Sequence, residues 1–276
     1  KFMEKVKKKA NISYSYVIGR FSSKVGSKFQ HFPIHNWEKD LDIAKKFNFD
    51  GTEWIISDYS NPIFNDSFRK IIKKKLNKKK IKICSISLDL IMDNPLHKIH
   101  MNDVIWLTKM LKKVIKYFSI KRVTIPIEER SRFNNFQEKK IALQKLKKFY
   151  SEISTISNLC IETDISPHSL KNFLNLKTFR NLGIVLDVGN TKAHGFSMKD
   201  YIELHPNKIH GIHVKYRQNF YGKSSRIKEN FKELRILMKN LYRLTNCKDI
   251  TFQTFSSKKN FINDMKFSIK NYNQNV

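Results

Sequence analysis

Four polar side chains lie inside apolar runs of this sequence, where a charge or an amide is costly to bury unless it is paired or bound to a metal. They are Glu162, Asp187, His213 and Gln253. Together they form a mixed oxygen and nitrogen set, which suits Mn²⁺, Mg²⁺, Co²⁺ or Zn²⁺ better than softer metals. Each residue taken alone is also explained as a hydrogen-bonded polar group at the end of a strand. A metal site therefore requires a fold that brings all four to one point.

Eight short runs rich in β-branched and aromatic residues recur at intervals of roughly 25 to 40 residues, the length of one strand and one crossover helix. The runs are almost continuously apolar, which is typical of parallel strands covered on both faces. They are Ile12–Ile18, Gly51–Ile56, Ile81–Leu88, Arg122–Ile127, Leu159–Thr163, Gly183–Val188, Ile209–Val214 and Asp249–Thr254. This pattern predicts eight consecutive βα units.

Amphipathic stretches between the runs predict helices, because their apolar residues recur at intervals of three to four. One stretch begins at Trp37, a second covers Ile105–Phe118 and a third covers Phe231–Leu241. Polar residues that precede helical stretches are expected to cap them; these are Asn36, Asp66, Asn102 and Ser197.

Eight βα units without a Pro/Gly/Ser-rich linker predict a single (β/α)8 TIM barrel over residues 1–276, with residues 1–11 as a flexible basic N-terminus. The length of 276 residues suits this fold, which needs about 250. An open doubly wound sheet is the alternative, but it needs a glycine-rich phosphate loop after an early strand, and the sequence has none. In a barrel the site lies at the carboxyl ends of the strands. The four polar residues, on the last four strands, are therefore expected to converge there.

Ordered motifs along the chain carry a family resemblance. The C-terminal half contains Asp187–Asn190 (DVGN), His213–Arg217 (HVKYR) and Phe252–Thr254 (FQT). The N-terminal half adds four matching segments, which are His31–Pro33 with Trp37, Phe49–Trp54 (FDGTEW), Asn61–Ile63 and Ser85–Asp89. In order and spacing, from about Ser13 to Phe255, these motifs resemble the sugar phosphate isomerase/epimerase family of xylose-isomerase-like TIM barrels.

The resemblance implies an isomerase or epimerase that uses a divalent metal to move a proton next to a sugar carbonyl. It implies that Glu162, Asp187, His213 and Gln253 hold the ion, with Glu162 and His213 as catalytic residues. Lys215 and Arg217 are expected to grip a hydroxyl, carboxylate or phosphate of a sugar or sugar phosphate. The other expected substrate contacts are Glu53 and Trp54 in the pocket wall, Asn190 and His194.

Three positions depart from the family pattern. Gln253 stands where the best-known epimerases have Glu, and an amide can be a ligand but not a base. Tyr216 stands where the family has Asp, and the glycine-rich loop that normally follows is shortened around Gly222–Ser225. These departures motivate a second hypothesis, a non-catalytic barrel that keeps the fold and part of the pocket.

A type-IV apurinic endonuclease is a third hypothesis, since that class shares the barrel and the basic charge suits DNA. Such enzymes hold three zinc ions and need additional histidine ligands at several strand ends. Here the second and third strands offer Glu53, Ser87 and Asp89, and neither offers a histidine. The sequence therefore favours the isomerase over the nuclease.

The chain is strongly basic, with 54 Lys and Arg against 24 Asp and Glu and a formal net charge of +30. This charge indicates either a polyanion partner or a compositional bias. Only 10 of the 54 basic residues are Arg, whereas nucleic-acid sites usually depend on clustered Arg. The composition therefore favours bias, with nonspecific polyanion binding and the steering of anionic sugars as consequences.

The sequence also predicts a cytoplasmic location. Cys84, Cys160 and Cys247 have no paired spacing, which favours free thiols in a reducing compartment. No apolar run approaches the roughly 20 residues of a membrane span, and the basic N-terminus lacks the apolar region of a secretory signal. Nothing in the sequence indicates the oligomeric state.

Overall fold

The structure is a computed structural model that describes residues 13–22, 31–217, 224–225, 247 and 249–253. Its strands are β1 (Ser13–Val17), β2 (Gly51–Ile55), β3 (Lys82–Ser87), β4 (Arg122–Ile127), β5 (Asn158–Thr163), β6 (Gly183–Asp187), β7 (Ile209–Val214), β8 (Tyr216–Arg217), β9 (Ser224–Ser225) and β10 (Asp249–Phe252). All but β8 and β9 form a closed parallel barrel in the order β1-β10-β7-β6-β5-β4-β3-β2. The predicted (β/α)8 barrel is confirmed, and β8 and β9 form a separate antiparallel pair.

Helices connect most of the strands. They are α1 (Trp37–Lys46), α2 (Asp66–Lys79), α3 (Leu90–Asp93), α4 (Met101–Phe118), α5 (Phe136–Ile153), α6 (Pro167–Leu174), α7 (Val188–Ala193) and α8 (Met198–Leu204). None of these described helices has the length and apolar character needed to cross a membrane. The predicted helix at 231–241 and the N-terminal segment 1–11 lie outside the described residues.

Two of the four expected helix caps are displaced. The Ser197 hydroxyl accepts a hydrogen bond from the Asp200 N–H, as a capping residue does. At α2 the cap is Asn65, whose Oδ1 lies 2.9 Å from the Phe68 nitrogen, so that Asp66 is the first helical residue. At α4 the preceding residue is His100 rather than Asn102. Asn36 precedes α1 without a capping hydrogen bond from its side chain.

The outer face of the barrel packs against the helices through large apolar side chains. Trp54 on β2 is fully buried, with its ring centroid 4.6 Å from that of Phe32 and 6.1 Å from that of Trp37 on α1. Its indole N–H donates to Asn61 Oδ1 at 3.1 Å, so the one polar atom of the ring is satisfied. This packing fixes α1 against the barrel wall.

The inner face of the barrel is polar below the carboxyl ends of the strands. Arg122, at the start of β4, is buried and donates to Glu53 Oε2 at 3.1 Å and to Asp249 Oδ2 at 2.6 Å. It also donates to the hydroxyls of Ser85 and Thr251. We call these five residues the Arg122 network. The other four hydrogen-bond to Arg122 inside a barrel whose interior is ordinarily filled by branched apolar residues.

Gly211 on β7 makes room for the Arg122 network. A Cβ atom at this position would lie 1.9 Å from Arg122 Nη1 and 2.5 Å from Arg122 Cζ, distances that no side chain can occupy. The guanidinium also donates to the His210 carbonyl at 3.2 Å. The absence of a side chain on β7 is therefore what admits a buried arginine from β4, on the far side of the barrel.

Candidate functional site

Glu162, Asp187 and His213 meet inside the carboxyl end of the barrel. Glu162 lies on β5 opposite Val185 of β6, and Asp187 ends β6 opposite His213 of β7. One ligating atom from each of the three lies within 4.8 Å of those from the other two. All three side chains are buried. Neighbouring parallel strands in this register thus bring together three of the four residues that the sequence singles out as metal ligands.

The imidazole of His213 lies between two carboxylates. Its Nδ1 is 3.1 Å from Glu162 Oε2, and its Nε2 is 3.0 Å from Glu53 Oε1. Burial alone lowers the pKa of His213, but the two carboxylates outweigh burial and raise it well above its ordinary value. In the absence of a metal the ring is therefore a cation held by two anions.

Glu162 and Asp187 respond to this environment in opposite directions. Burial raises the pKa of Glu162, but the charge of His213 outweighs burial and the pKa falls below its ordinary value. Burial raises the pKa of Asp187, and the attraction of Lys215 offsets only part of that rise. Glu162 consequently has the lower pKa of the two carboxyl groups and is ionised at neutral pH.

Lys215 stands between Asp187 and Gln253. Its Nζ lies 2.7 Å from Asp187 Oδ2 and 3.2 Å from Gln253 Oε1. Gln253, which directly follows β10, therefore reaches the site, and its amide oxygen accepts from the ammonium of Lys215. For Gln253 to become a metal ligand, this ammonium must move aside. The structure therefore brings Glu162, Asp187 and His213 together directly, whereas Lys215 separates Gln253 from them.

Glu53 is not a wall residue of an open pocket, as the sequence suggested. It is fully buried, and it connects the Arg122 network to His213 from below. The Ser85 hydroxyl also donates to it at 2.8 Å. Burial raises its pKa, but His213 and Arg122 outweigh burial and lower the pKa to about 2. Glu53 is therefore a fixed anion beneath the site.

Trp54 also occupies a different place from the predicted one. Side chains alternate along a strand, so Trp54 points outward where its neighbour Glu53 points inward. Its contacts with Phe32, Trp37 and Asn61 place it in the core between the barrel and α1. The predicted substrate contact at Trp54 is wrong, because the ring is fully buried on the opposite side of the barrel wall.

Solved structures resemble the whole described barrel. A sugar phosphate isomerase/epimerase from Parabacteroides distasonis superposes with a TM-score of 0.67, at 14% identity over 96% of this chain and 94% of the other. A xylose isomerase-like TIM barrel protein from Mycobacterium smegmatis, in complex with magnesium, gives 0.67, at 14% identity over 95% and 96%. A probable 3-DHS dehydratase from Bacillus anthracis gives 0.68, at 14% identity over 94% and 98%.

The protein has the xylose-isomerase-like TIM-barrel fold. No protein-family model matches the sequence, and no curated protein matches it significantly. At 14% identity the likeness establishes the fold and leaves the reaction to be argued from the residues of this chain.

The rim of this xylose-isomerase-like barrel holds the other predicted contact residues. Arg217 Nη1 donates to Asn190 Oδ1 at 2.8 Å and to Glu129 Oε1 at 2.7 Å. His194 Nε2 lies 3.6 Å from Asp164 Oδ2, and burial lowers the pKa of this histidine. Asn190 and Arg217 are thus joined to each other, and His194 lies beside an anion at the same end of the barrel.

The barrel mouth also holds two carboxylates that are not among the site residues predicted from the sequence. Asp164 directly follows β5, forms an ion pair with Arg132 and accepts from the Glu129 N–H at 2.9 Å. Glu128 follows β4, is buried, and its Oε2 accepts from Asn190 Nδ2 at 2.5 Å. The position of Glu128 directly after a strand indicates a place at the mouth of the barrel. The adjacent Glu129 and the polar residues that follow are instead typical of the exposed start of a helix.

Proposed function

We propose that this protein is an isomerase or epimerase of a sugar or sugar phosphate, with a divalent metal held by Glu162, Asp187 and His213. The observation that supports this most strongly is the convergence of these three buried groups at the carboxyl end of the barrel. The magnesium complex among the solved structures of the same fold is consistent with it. The substrate is a polar small molecule, because the mouth is lined by charged and amide groups.

The three residues fit a metal by a test of their own polar atoms. Glu162 Oε1 is buried and has no hydrogen-bond partner among the described residues. Asp187 Oδ2 and His213 Nδ1, the nearest ligand atoms of the other two residues, have only the contacts with Lys215 Nζ and Glu162 Oε2 described above. Buried polar atoms in native proteins are normally satisfied, so the unpartnered Glu162 oxygen beside two further ligand groups is consistent with a missing cation. Two carboxylates and an imidazole are ligands that Mg²⁺, Mn²⁺ and Zn²⁺ accept.

The residues of the chain divide the work of proton transfer and substrate binding. A bound divalent ion supplies Lewis acidity to the oxygens of a hydroxy-carbonyl substrate. Glu162, ionised at neutral pH, is the carboxylate that takes a proton from the carbon next to the carbonyl. Lys215 and Arg217 provide N–H donors for a hydroxyl, carboxylate or phosphate at the mouth. Glu53 fixes the orientation of the His213 ring from below.

A metal titration tests this proposal. We expect the wild-type protein, stripped with a chelator, to bind one Mn²⁺ per chain in isothermal titration calorimetry. His213→Ala should abolish binding, because it removes one of three ligands. His168→Ala is the matched control, since this histidine of α6 is exposed whereas the three ligands are buried. Absence of stoichiometric binding by the wild type, with His213→Ala equally stable, would refute the isomerase proposal and favour a non-catalytic barrel.

The nuclease hypothesis is distinguished by its substrate and metal count. The described ends of β2 and β3 provide Glu53, Ser87 and Asp89, and Ser87 donates to Asp89 at 2.5 Å rather than facing an open site. These two strand ends provide no histidine ligand for a three-zinc centre. Three bound Zn²⁺ per chain together with nicking of DNA at abasic sites would favour the nuclease over the isomerase.

A further inference from the structure

With Gln253 in place of a glutamate, the site lacks the second proton-transfer group that an epimerisation requires. An epimerisation takes a proton from one face of a carbon atom and delivers one to the opposite face, and an amide can do neither. The amide of Gln253 is moreover engaged by Lys215 at 3.2 Å. Glu162 supplies one carboxyl group, so for an epimerisation a second proton carrier must come from elsewhere in the mouth of the barrel.

Glu128 lies where such a carrier is needed. On paired strands β4 and β5, Pro126 is opposite Glu162 and Ile127 is opposite Thr163. The backbone at Glu128 remains extended (φ −146°, ψ 163°), so the alternation of side chains continues for one more residue. Glu128 therefore faces the same side as Pro126 and Glu162, into the barrel, and one layer nearer to its mouth.

The carboxyl group of Glu128 is held in a fixed position. Asn190 Nδ2 donates to its Oε2 at 2.5 Å, and the Asn190 N–H donates in turn to Asp187 Oδ1 at 2.7 Å. Asn190 is thus a bridge between Glu128 and a predicted metal ligand. On the backbone side, the Glu128 N–H donates to the Ser131 hydroxyl at 3.0 Å, which anchors the turn that carries it.

The charged groups around Glu128 favour its neutral form. Burial raises the pKa of Glu128 well above its ordinary value, and the neighbouring carboxylates Glu162, Asp187 and Glu129 raise it further. Lys215 opposes them without reversing the direction. A buried carboxyl group that faces the same side as Glu162 and is hydrogen-bonded by Asn190 is placed to exchange a proton with a substrate at the mouth of the barrel.

We propose that Glu128 is the second proton carrier of the site, because the amide of Gln253 cannot transfer a proton. This rests on the proposed function in its epimerase form. Glu162 takes a proton from the carbon next to the carbonyl, and the electron pair of that C–H bond passes into the enediolate of the substrate. Glu128 then gives its proton to the substrate, and an electron pair of the enediolate forms the new bond to hydrogen. Substrate and product have the same composition, and solvent restores the two carboxyl groups.

The test compares Glu128→Gln with the wild type in three measurements. Gln keeps the acceptor for Asn190 but carries no acidic proton. With D-xylulose, D-fructose and their phosphate monoesters in D2O and Mn²⁺, followed by proton NMR, we expect turnover to fall by about 100-fold or more. Mn²⁺ affinity should be unchanged in calorimetry. An infrared band of a protonated carboxyl group at pH 7 should be present in the wild type and absent in the variant.

Two further variants control for structural damage. Glu128→Asp keeps the acid on a shorter side chain, so it should retain part of the turnover that Glu128→Gln loses. Glu203→Gln, on the surface of α8 beside Lys199, removes a carboxyl far from the site and should behave as the wild type.

Each outcome decides between the possibilities. Full turnover by Glu128→Gln, or the absence of the infrared band, overturns the role of Glu128 alone. A fall in Mn²⁺ affinity of about 10-fold or more would assign Glu128 to orienting the ligands, and the proposal is then wrong. A wild-type protein that binds no Mn²⁺ and exchanges no deuterium overturns the proposed function itself, and the role of Glu128 with it.

Discussion

Arg122→Met removes the cation at the centre of the Arg122 network, and we expect it to lower the free energy of unfolding by about 3–5 kcal/mol. The guanidinium is 2% exposed and pairs with Glu53 and Asp249. Methionine fills a similar volume without charge, so the loss is electrostatic rather than a cavity. The cost arises because carboxylates that remain inside the barrel lose their partner.

The two carboxylates should not contribute equally. Glu53 keeps His213 at 3.0 Å and Ser85 at 2.8 Å after the substitution. Asp249 loses the guanidinium at 2.6 Å, and burial already raises its pKa, so its charge is the one left poorly compensated. Asp249→Asn should therefore cost less in the Arg122→Met background than in the wild type. This coupling is the quantity that a double-mutant cycle measures.

Urea unfolding, followed by circular dichroism, measures all four proteins of the cycle. Lys112→Met is a matched control, because Lys112 forms a half-exposed surface pair with Glu152 and its loss should cost at most about 1 kcal/mol. A cost for Arg122→Met as small as that of the control would show that the buried guanidinium does not stabilise the barrel through these carboxylates. So would an Asp249→Asn effect that is the same in both backgrounds.

Two further predictions concern the core and the loop after β1. Trp54→Ala should lower the free energy of unfolding by about 3–5 kcal/mol, because it leaves a cavity between the barrel and α1. The Mn²⁺ affinity should be unchanged. Loss of Mn²⁺ binding by a folded Trp54→Ala protein would show that Trp54 contributes to the site. Burial raises the pKa of Asp40 to about 6, although hydrogen bonds from Ser22, Gly19 and Phe21 lower it in part. The folded state therefore holds a proton that the unfolded state releases near pH 4, so this stabilisation is greatest below pH 4 and is lost as pH rises to 6. At 1.36 kcal/mol per pKa unit the change is about 3 kcal/mol. Asp40→Asn cannot ionise, and its stability relative to the wild type should rise by that amount between pH 4 and pH 7 in urea unfolding; parallel pH profiles would contradict this assignment.

The strands of the barrel could be predicted from the sequence because a parallel strand buried on both faces must be apolar along most of its length. Because such a strand is apolar on both faces, its sequence does not indicate which side chains point into the barrel and which point toward the helices. Glu53 and Trp54 are adjacent in an apolar run, and only the closed barrel shows that the glutamate points inward and the tryptophan outward. The predicted pocket role of Trp54 failed for this reason.

The convergence of Glu162, Asp187 and His213 followed from strand order, because polar residues at the ends of neighbouring parallel strands must lie near one another. Lys215 between Asp187 and Gln253 depends on the reach of a flexible side chain, which spacing does not encode. Arg122 begins a strand and has the pattern of a solvent-facing flank. Its burial depends on Gly211, a residue 89 positions away in the sequence.

The Arg122 side chain occupies the space that a side chain at position 211 would need, so the sizes of the residues at these two distant positions are coupled. In a combinatorial library that randomises position 211 alone, glycine should be nearly the sole survivor. Randomising 122 and 211 together should recover pairs in which a smaller residue at 122 accompanies a larger one at 211. Recombination between two such lineages would break the match, so crossovers between β4 and β7 should yield folded chimeras less often than crossovers that keep both strands from one parent.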